Sequence, residues 1–133
     1  MKGRILLLPA LLLSICLVTC HGADKDSSQE ELTTLALCLK EKGVVMYGSI
    51  TCSGCRSQRK AFGDAFRHIT EIECNPHIEN TQAERCLEKK IRKTPTWVME
   101  PNGQEIKRLV GYQLLEELAL FADCEFQGAM SKI

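Results

Sequence analysis

Val44-Val45-Met46-Tyr47-Gly48-Ser49-Ile50-Thr51-Cys52-Ser53-Gly54-Cys55 holds the plan of the chain. Its first four residues form a short apolar run with β-branched side chains, the pattern of a buried strand. Downstream of the two cysteines, Phe62, Ala65 and Phe66 recur at helical spacing, and Gly63 is placed to loosen or kink that helix. The C-x-x-C therefore stands where a strand hands over to a helix. A helix N-terminus carries partial positive charge and unpaired backbone N–H groups, so a sulfur placed there is stabilised as thiolate. Cys52, at the open end, is assigned as the attacking sulfur, and Cys55, under the first helical turn, as its resolving partner. No histidine lies between them, which argues against the extreme thiolate stabilisation of the strongest oxidants. Arg56 and Arg59 are candidates for added favourable charge.

Outward from this stretch, helix and strand alternate. On its N-terminal side, Ser28 with Glu31 has the pattern of a capping box. Leu32, Leu35, Ala36 and Leu39 follow at helical spacing up to Gly43, which can end the helix. On its C-terminal side, Thr70, Ile72 and Cys74 alternate with Glu71 and Glu73 as in a half-buried strand. Asn75-Pro76-His77 breaks that strand. Glu79 to Lys90 reads as a helix with Ala83, Cys86 and Leu87 inward and with Glu84, Glu88, Lys89 and Lys90 on a solvated face. Trp97-Val98-Met99 reads as a strand joined by the Asn102-Gly103 turn to an antiparallel partner over Gln104–Val110. A closing helix turns Leu114, Leu115, Leu118 and Phe121 inward. Trp97 is expected in the core, and His68 and His77 at the surface. The predicted order is helix, strand, helix, strand, helix, strand, strand, helix, which implies an α/β sheet with helices on both faces.

The ends and the composition narrow the class. Lys2 and Arg4 followed by the uncharged run Ile5–Val18 read as a secretory signal over 1–22, since that run is shorter than the roughly 20 residues a membrane span needs. Leu17-Val18-Thr19-Cys20 resembles a lipobox, which makes Cys20 a lipidation candidate and would shorten the signal to 1–19. Ordinary cleavage after Gly22 or Ala23 is the alternative. The remaining divisions are a flexible lead-in over 23–29, one folded domain over 30–125 and a tail over 126–133. The chain carries 17 basic and 17 acidic residues, and without Lys2 and Arg4 it is slightly acidic. Such a balance argues against a nucleic-acid partner. With 44% apolar residues among 133 it can bury an ordinary core, so its eight cysteines are not those of a disulfide miniature. Export would place them where disulfides persist, in the periplasm or cell envelope of a bacterium or otherwise in the secretory pathway.

Other readings of the cysteines stay open. Cys52 and Cys55 could form an inert bridge. Cys52-x2-Cys55-x18-Cys74-x2-His77 has the spacing of a zinc ribbon, although the first pair opens a helix rather than a tight hairpin turn. Cys74 and Cys86 are close enough in sequence for a structural bridge, and a second redox pair relaying electrons to Cys52/Cys55 is the alternative. Cys38 and Cys124 fall on the first and last helices and are expected to be free thiols, unless the chain end wraps round and pairs them. Pro95 opens an otherwise central strand without an amide to give. A cis Thr94–Pro95 bond would account for it, and so would a trans proline in a loop.

These residues resemble the thioredoxin fold. More narrowly, Met46-Tyr47-Gly48, Cys52/Cys55, Phe62-Gly63, Glu73-Cys74, Cys86, Pro95-Thr96-Trp97 and Gly111 are similar to the thioredoxin-like domain fused to homologues of vitamin K epoxide reductase. The resemblance implies attack by Cys52, resolution by Cys55 and a cis Pro95 beside the sulfurs. It also implies that Thr94 offers its backbone to an extended protein substrate. No cofactor is implied beyond the redox-active Cys52–Cys55 disulfide, and no metal. The implied partners are protein thiols or disulfides and a membrane quinone-linked homologue of vitamin K epoxide reductase, acting on a monomer. The expected function is that of a disulfide donor; a reductase fed by a membrane reductant, or a thioredoxin-fold binding or chaperone module, are the alternatives. The chain departs from the family at Thr51, where an aromatic residue is common, at Gly54, where histidine is common, and at Met46, where classical thioredoxins hold a buried acid.

Overall fold

The computed structural model describes residues 23–128. The proposed signal over 1–22, including Cys20, and residues 129–133 of the tail lie outside the described residues. The elements are α1 (Ala23–Glu41), β1 (Val44–Gly48), α2 (Ser53–Phe62) followed by a 3-10 segment (Gly63–His68), β2 (Thr70–Glu73), α3 (Ala83–Glu88), β3 (Thr96–Met99), β4 (Lys107–Val110) and α4 (Leu115–Ala122). The element order is the predicted one. The sheet order is β2-β1-β3-β4, with β2 parallel to β1 and both β1–β3 and β3–β4 antiparallel. This mixed sheet, with helices on both faces and a cis proline opening β3, is an α/β thioredoxin-like fold.

Strand pleating divides the core in two. Val44, Met46 and Trp97 face a cluster with Leu35, Ala36, Leu39, Phe62, Ala65, Leu118 and Phe121, so α1, α2 and α4 all pack on one side. Val45, Tyr47, Ile72 and Val98 face the other side, where α3 contributes Cys86. Trp97 is fully buried and stacks obliquely on Phe62, with ring centroids 6.1 Å apart.

The helix distribution corrects one expectation. α1 and α4 share a face, and Cys38 and Cys124 are joined in a disulfide with Cα atoms 6.1 Å apart. They are not free thiols. The C-terminal segment past α4 also joins this side, with Phe126 packed on the cluster.

Several boundaries move, each for a local reason. α1 begins at Ala23 and takes in the stretch read as a flexible lead-in, because no glycine or proline interrupts it before Gly43. At Gly43 φ is +72°, and a Cβ there would lie 2.7 Å from Pro101 Cα, so the helix stop is specific for glycine. α2 ends at Phe62, and the helical pattern continues from Gly63 as a 3-10 segment, at the predicted kink.

α3 starts at Ala83 rather than Glu79. Asn80 takes a positive φ of 58°, and Thr81 Oγ1 accepts the Ala83 N–H while donating to the Glu73 carbonyl. In this short helix Cys86 is held inward by its disulfide to Cys74, and Leu87, expected inward, is 76% exposed. Leu114, also expected in the core, is the residue before α4 and is exposed.

Asn102 and Gly103 do turn, with φ of 58° and 80°, but the ladder resumes only at Lys107 opposite Met99. The tight hairpin is replaced by a longer loop because Glu100 turns its carboxylate inward. That carboxylate accepts from Tyr47 Oη at 2.8 Å and Arg85 at 2.6 Å and pairs with Lys89. Lys89 is therefore not part of a freely solvated face. Burial alone would raise the Glu100 pKa, but the hydrogen bonds from Lys89, Tyr47 and Arg85 outweigh it and hold the carboxyl below its ordinary range. Burial and the same carboxylate push the Tyr47 phenol up to about 12.

Candidate active site

Cys52 is the N-cap of α2. Its extended backbone, at φ −80° and ψ 126°, turns the sulfur back over the first helical turn. There Sγ accepts the Cys55 N–H at 3.3 Å. The first turn of α2 holds no acidic side chain to oppose a thiolate. The Cys52 thiol also donates to the Thr94 carbonyl at 3.3 Å, so its sulfur bridges the helix and the loop of Pro95. The Thr94–Pro95 bond is cis, and the Gly111 N–H ties the Pro95 carbonyl to the segment after β4 at 2.8 Å. Gly54 makes room for this approach, since a Cβ on it would lie 3.1 Å from Pro95 Cδ. Gly54 thus lets the proline ring close on the cysteine turn.

The two sulfurs differ. Cys52 is half-buried and Cys55 is fully buried, with the Ser49 N–H on its sulfur at 3.4 Å. Burial would raise the Cys52 pKa. Hydrogen bonds from the Cys55 thiol, the Thr94 side chain and the backbone N–H groups of Cys55 and Gly54 reverse this and bring it below the ordinary thiol value. Burial, with the hydrogen bond to Cys52, pushes the Cys55 thiol up to about 11. The accessible sulfur is thus the more readily ionised of the two, and the buried one keeps its proton.

Alkylation of the reduced protein should show this split. Iodoacetamide should label Cys52 with a pH midpoint below that of a free cysteine, and should leave Cys55 unmodified at neutral pH. Peptide mapping by mass spectrometry checks it, and equal labelling of both sulfurs would contradict it.

The other candidate residues are placed as follows. Cys74 and Cys86 form a disulfide with Cα atoms 5.7 Å apart, between the end of β2 and α3. Cys74 is thereby unavailable to a zinc ribbon, His77 is exposed, and no metal-binding group of three or more His, Cys, Asp or Glu occurs among the described residues. Arg59 lies within electrostatic reach of Cys55. It makes a bidentate pair with Glu71, and Arg56 is exposed.

Sequence reasoning missed Gln58. It is fully buried, its Nε2 donates to the Gln113 carbonyl, and its Oε1 accepts from the Gln113 N–H at 2.9 Å and Trp97 Nε1 at 3.4 Å. It staples α2 to the segment that follows Gly111. Its spacing from Cys55 and Phe62 on the inward stripe of α2 was the available signal.

No protein-family model matches the chain. Among solved structures it is similar to a thioredoxin from Fasciola hepatica, with 19% identity over 64% of this chain and 85% of that one and a TM-score of 0.46. It is also similar to the thioredoxin NaTrxh from Nicotiana alata, with 15% identity over 74% of this chain and 84% of that one and a TM-score of 0.47.

Proposed function

We propose that the chain is an exported thiol–disulfide oxidoreductase that exchanges disulfides with protein substrates through Cys52 and Cys55, working as a disulfide donor. The observation that carries this reading is the Cys52 sulfur itself, half-buried at a helix N-terminus, bonded to the Cys55 N–H and touching the loop of a cis proline. A thiolate stabilised there is a good leaving group, and its stability favours the reduced form of the pair, which makes the disulfide form an oxidant.

The steps balance as follows. A substrate thiolate attacks Cys52 Sγ of the Cys52–Cys55 disulfide, a mixed disulfide forms, and Cys55 leaves and takes a proton. A second substrate thiolate then attacks the substrate sulfur of the mixed disulfide. The substrate disulfide closes and Cys52 leaves as thiolate. Two electrons have passed to the chain, with one proton held on Cys55 and Cys52 left as thiolate. The resemblance to domains fused to vitamin K epoxide reductase homologues supports a membrane partner that takes these two electrons and hands them to a quinone, with one proton from Cys55 and one from solvent. The reverse sequence would reduce substrates. No helix among the described residues is long and apolar enough to cross a membrane.

The test is stoichiometric transfer. Oxidised protein mixed with a reduced dithiol peptide should yield one peptide disulfide for each Cys52–Cys55 pair reduced. Absence of transfer, with Cys52–Cys55 oxidised at the start, would overturn the proposal.

A further inference from the structure

A carboxylate that the exchange chemistry does not use lies beside the loop carrying Cys52. Glu73 closes β2, opposite Gly48 of β1. One of its oxygens accepts the Ile50 N–H at 2.8 Å and the other accepts the Asn75 N–H at 2.8 Å. Among the described residues it has no ion-pair partner, since Arg59 is taken by Glu71. Both charge-assisted bonds therefore go to backbone, and such bonds are roughly twice as strong as neutral ones.

The bonded amide at Ile50 lies two residues before the attacking sulfur. The segment between them is otherwise held by short local contacts. Thr51 N–H donates to Ser49 Oγ at 3.2 Å, the two hydroxyls meet at 3.0 Å, and the Cys52 N–H donates to the Ser49 carbonyl at 3.1 Å. On the far side, Glu73 is gripped by the loop that the Cys74–Cys86 disulfide closes. Asn75 supplies a donor to its carboxylate, and Gln82 N–H and Thr81 Oγ1 donate to its carbonyl at 2.9 Å and 3.1 Å. Asn75 Nδ2 also reaches Thr51 Oγ1 at 3.4 Å.

We propose that Glu73 is a positioning residue for the Cys52 thiolate, clamping residues 49–51 so that the sulfur meets the backbone N–H groups of Cys55 and Gly54, with the Cys74–Cys86 bridge holding the clamp in place. It rests on the reading of Cys52 as the attacking sulfur. A positioning role and a plain charge role have opposite signs. Removing a negative charge near a thiolate lowers the thiol pKa, whereas releasing the clamp loosens the sulfur from its donors and raises it.

Glu73→Gln leaves only one acceptor oxygen for two amides. In the full mature chain its thiolate absorbance should titrate with the Cys52 step moved up by at least about half a pH unit relative to wild type. A Cys52 step that is unchanged or moved down overturns the proposal. Should the variant not fold, wild-type hydrogen exchange decides. Ile50 is 57% exposed, so the bond to Glu73 is what can slow its amide. Slow exchange supports the clamp, and exchange at the rate of an unbonded amide overturns it. Failure of the functional reading looks different: wild-type Cys52 then titrates as a free cysteine whatever stands at 73.

Discussion

Cys52→Ser loses thiol–disulfide exchange by at least about a thousandfold, because a serine hydroxyl is not ionised at neutral pH and cannot replace the thiolate as nucleophile. Cys55→Ser behaves differently. It keeps the first attack and stalls at the mixed disulfide, because nothing is left to resolve it. Its first step is slowed too, since the Cys55 thiol is the leading favourable hydrogen bond to the Cys52 sulfur. That cost should stay within about tenfold, because the Cys55 and Gly54 backbone N–H groups and Thr94 remain, and the intrinsic nucleophilicity of the sulfur rises as its pKa does. Mixed with a disulfide peptide, Cys55→Ser should accumulate one adduct per chain, on Cys52, and Cys52→Ser should accumulate none. Adducts of equal yield on the two variants would contradict the assignment of roles.

Replacing both Cys38 and Cys124 by serine should lower the unfolding free energy by about 4.5 kcal/mol. The bridge spans 86 residues of sequence and closes most of the folded domain into one loop, so it strongly restricts the unfolded chain. The Cys74–Cys86 bridge spans only 12, and by the same loop argument its loss costs about 3 kcal/mol. Urea unfolding of the two double variants measures both. A loss of less than about 1 kcal/mol for the Cys38/Cys124 pair would show that the long loop contributes little entropy to the unfolded state.

Local pattern sufficed where the local signal and the fold agree. Val44–Tyr47, the C-x-x-C at a helix start and the spacing of Phe62 and Phe66 each speak through nearest neighbours. The unread features depend on which face an element packs against. Cys38 and Cys124 are 86 residues apart, and nothing in either helix states that α1 shares a side with α4. Leu87 and Leu114 have the right chemistry for a core, but α3 is short and its buried position is taken by the bridged Cys86, and α4 begins one residue after Leu114. Glu100 reads as a surface charge at the end of a strand, and only Tyr47, Arg85 and Lys89 from distant segments make its burial affordable. Glu73 likewise reads as the outward member of an alternating strand, and its bonds to Ile50 and Asn75 require β1 and β2 to lie side by side. At the site, Cys52 and Cys55 were legible because their chemistry is carried by spacing. Gln58 was not, because a glutamine on an amphipathic helix carries no such signature.

The most direct test is the equilibrium of the Cys52–Cys55 pair with reduced and oxidised glutathione, followed in the chain with its two other disulfides intact. A working exchange pair should titrate reversibly, with a potential between about −270 mV and −120 mV and toward the less negative end for a donor. A pair that stays oxidised below about −300 mV behaves as a structural bridge, and that result would contradict the account.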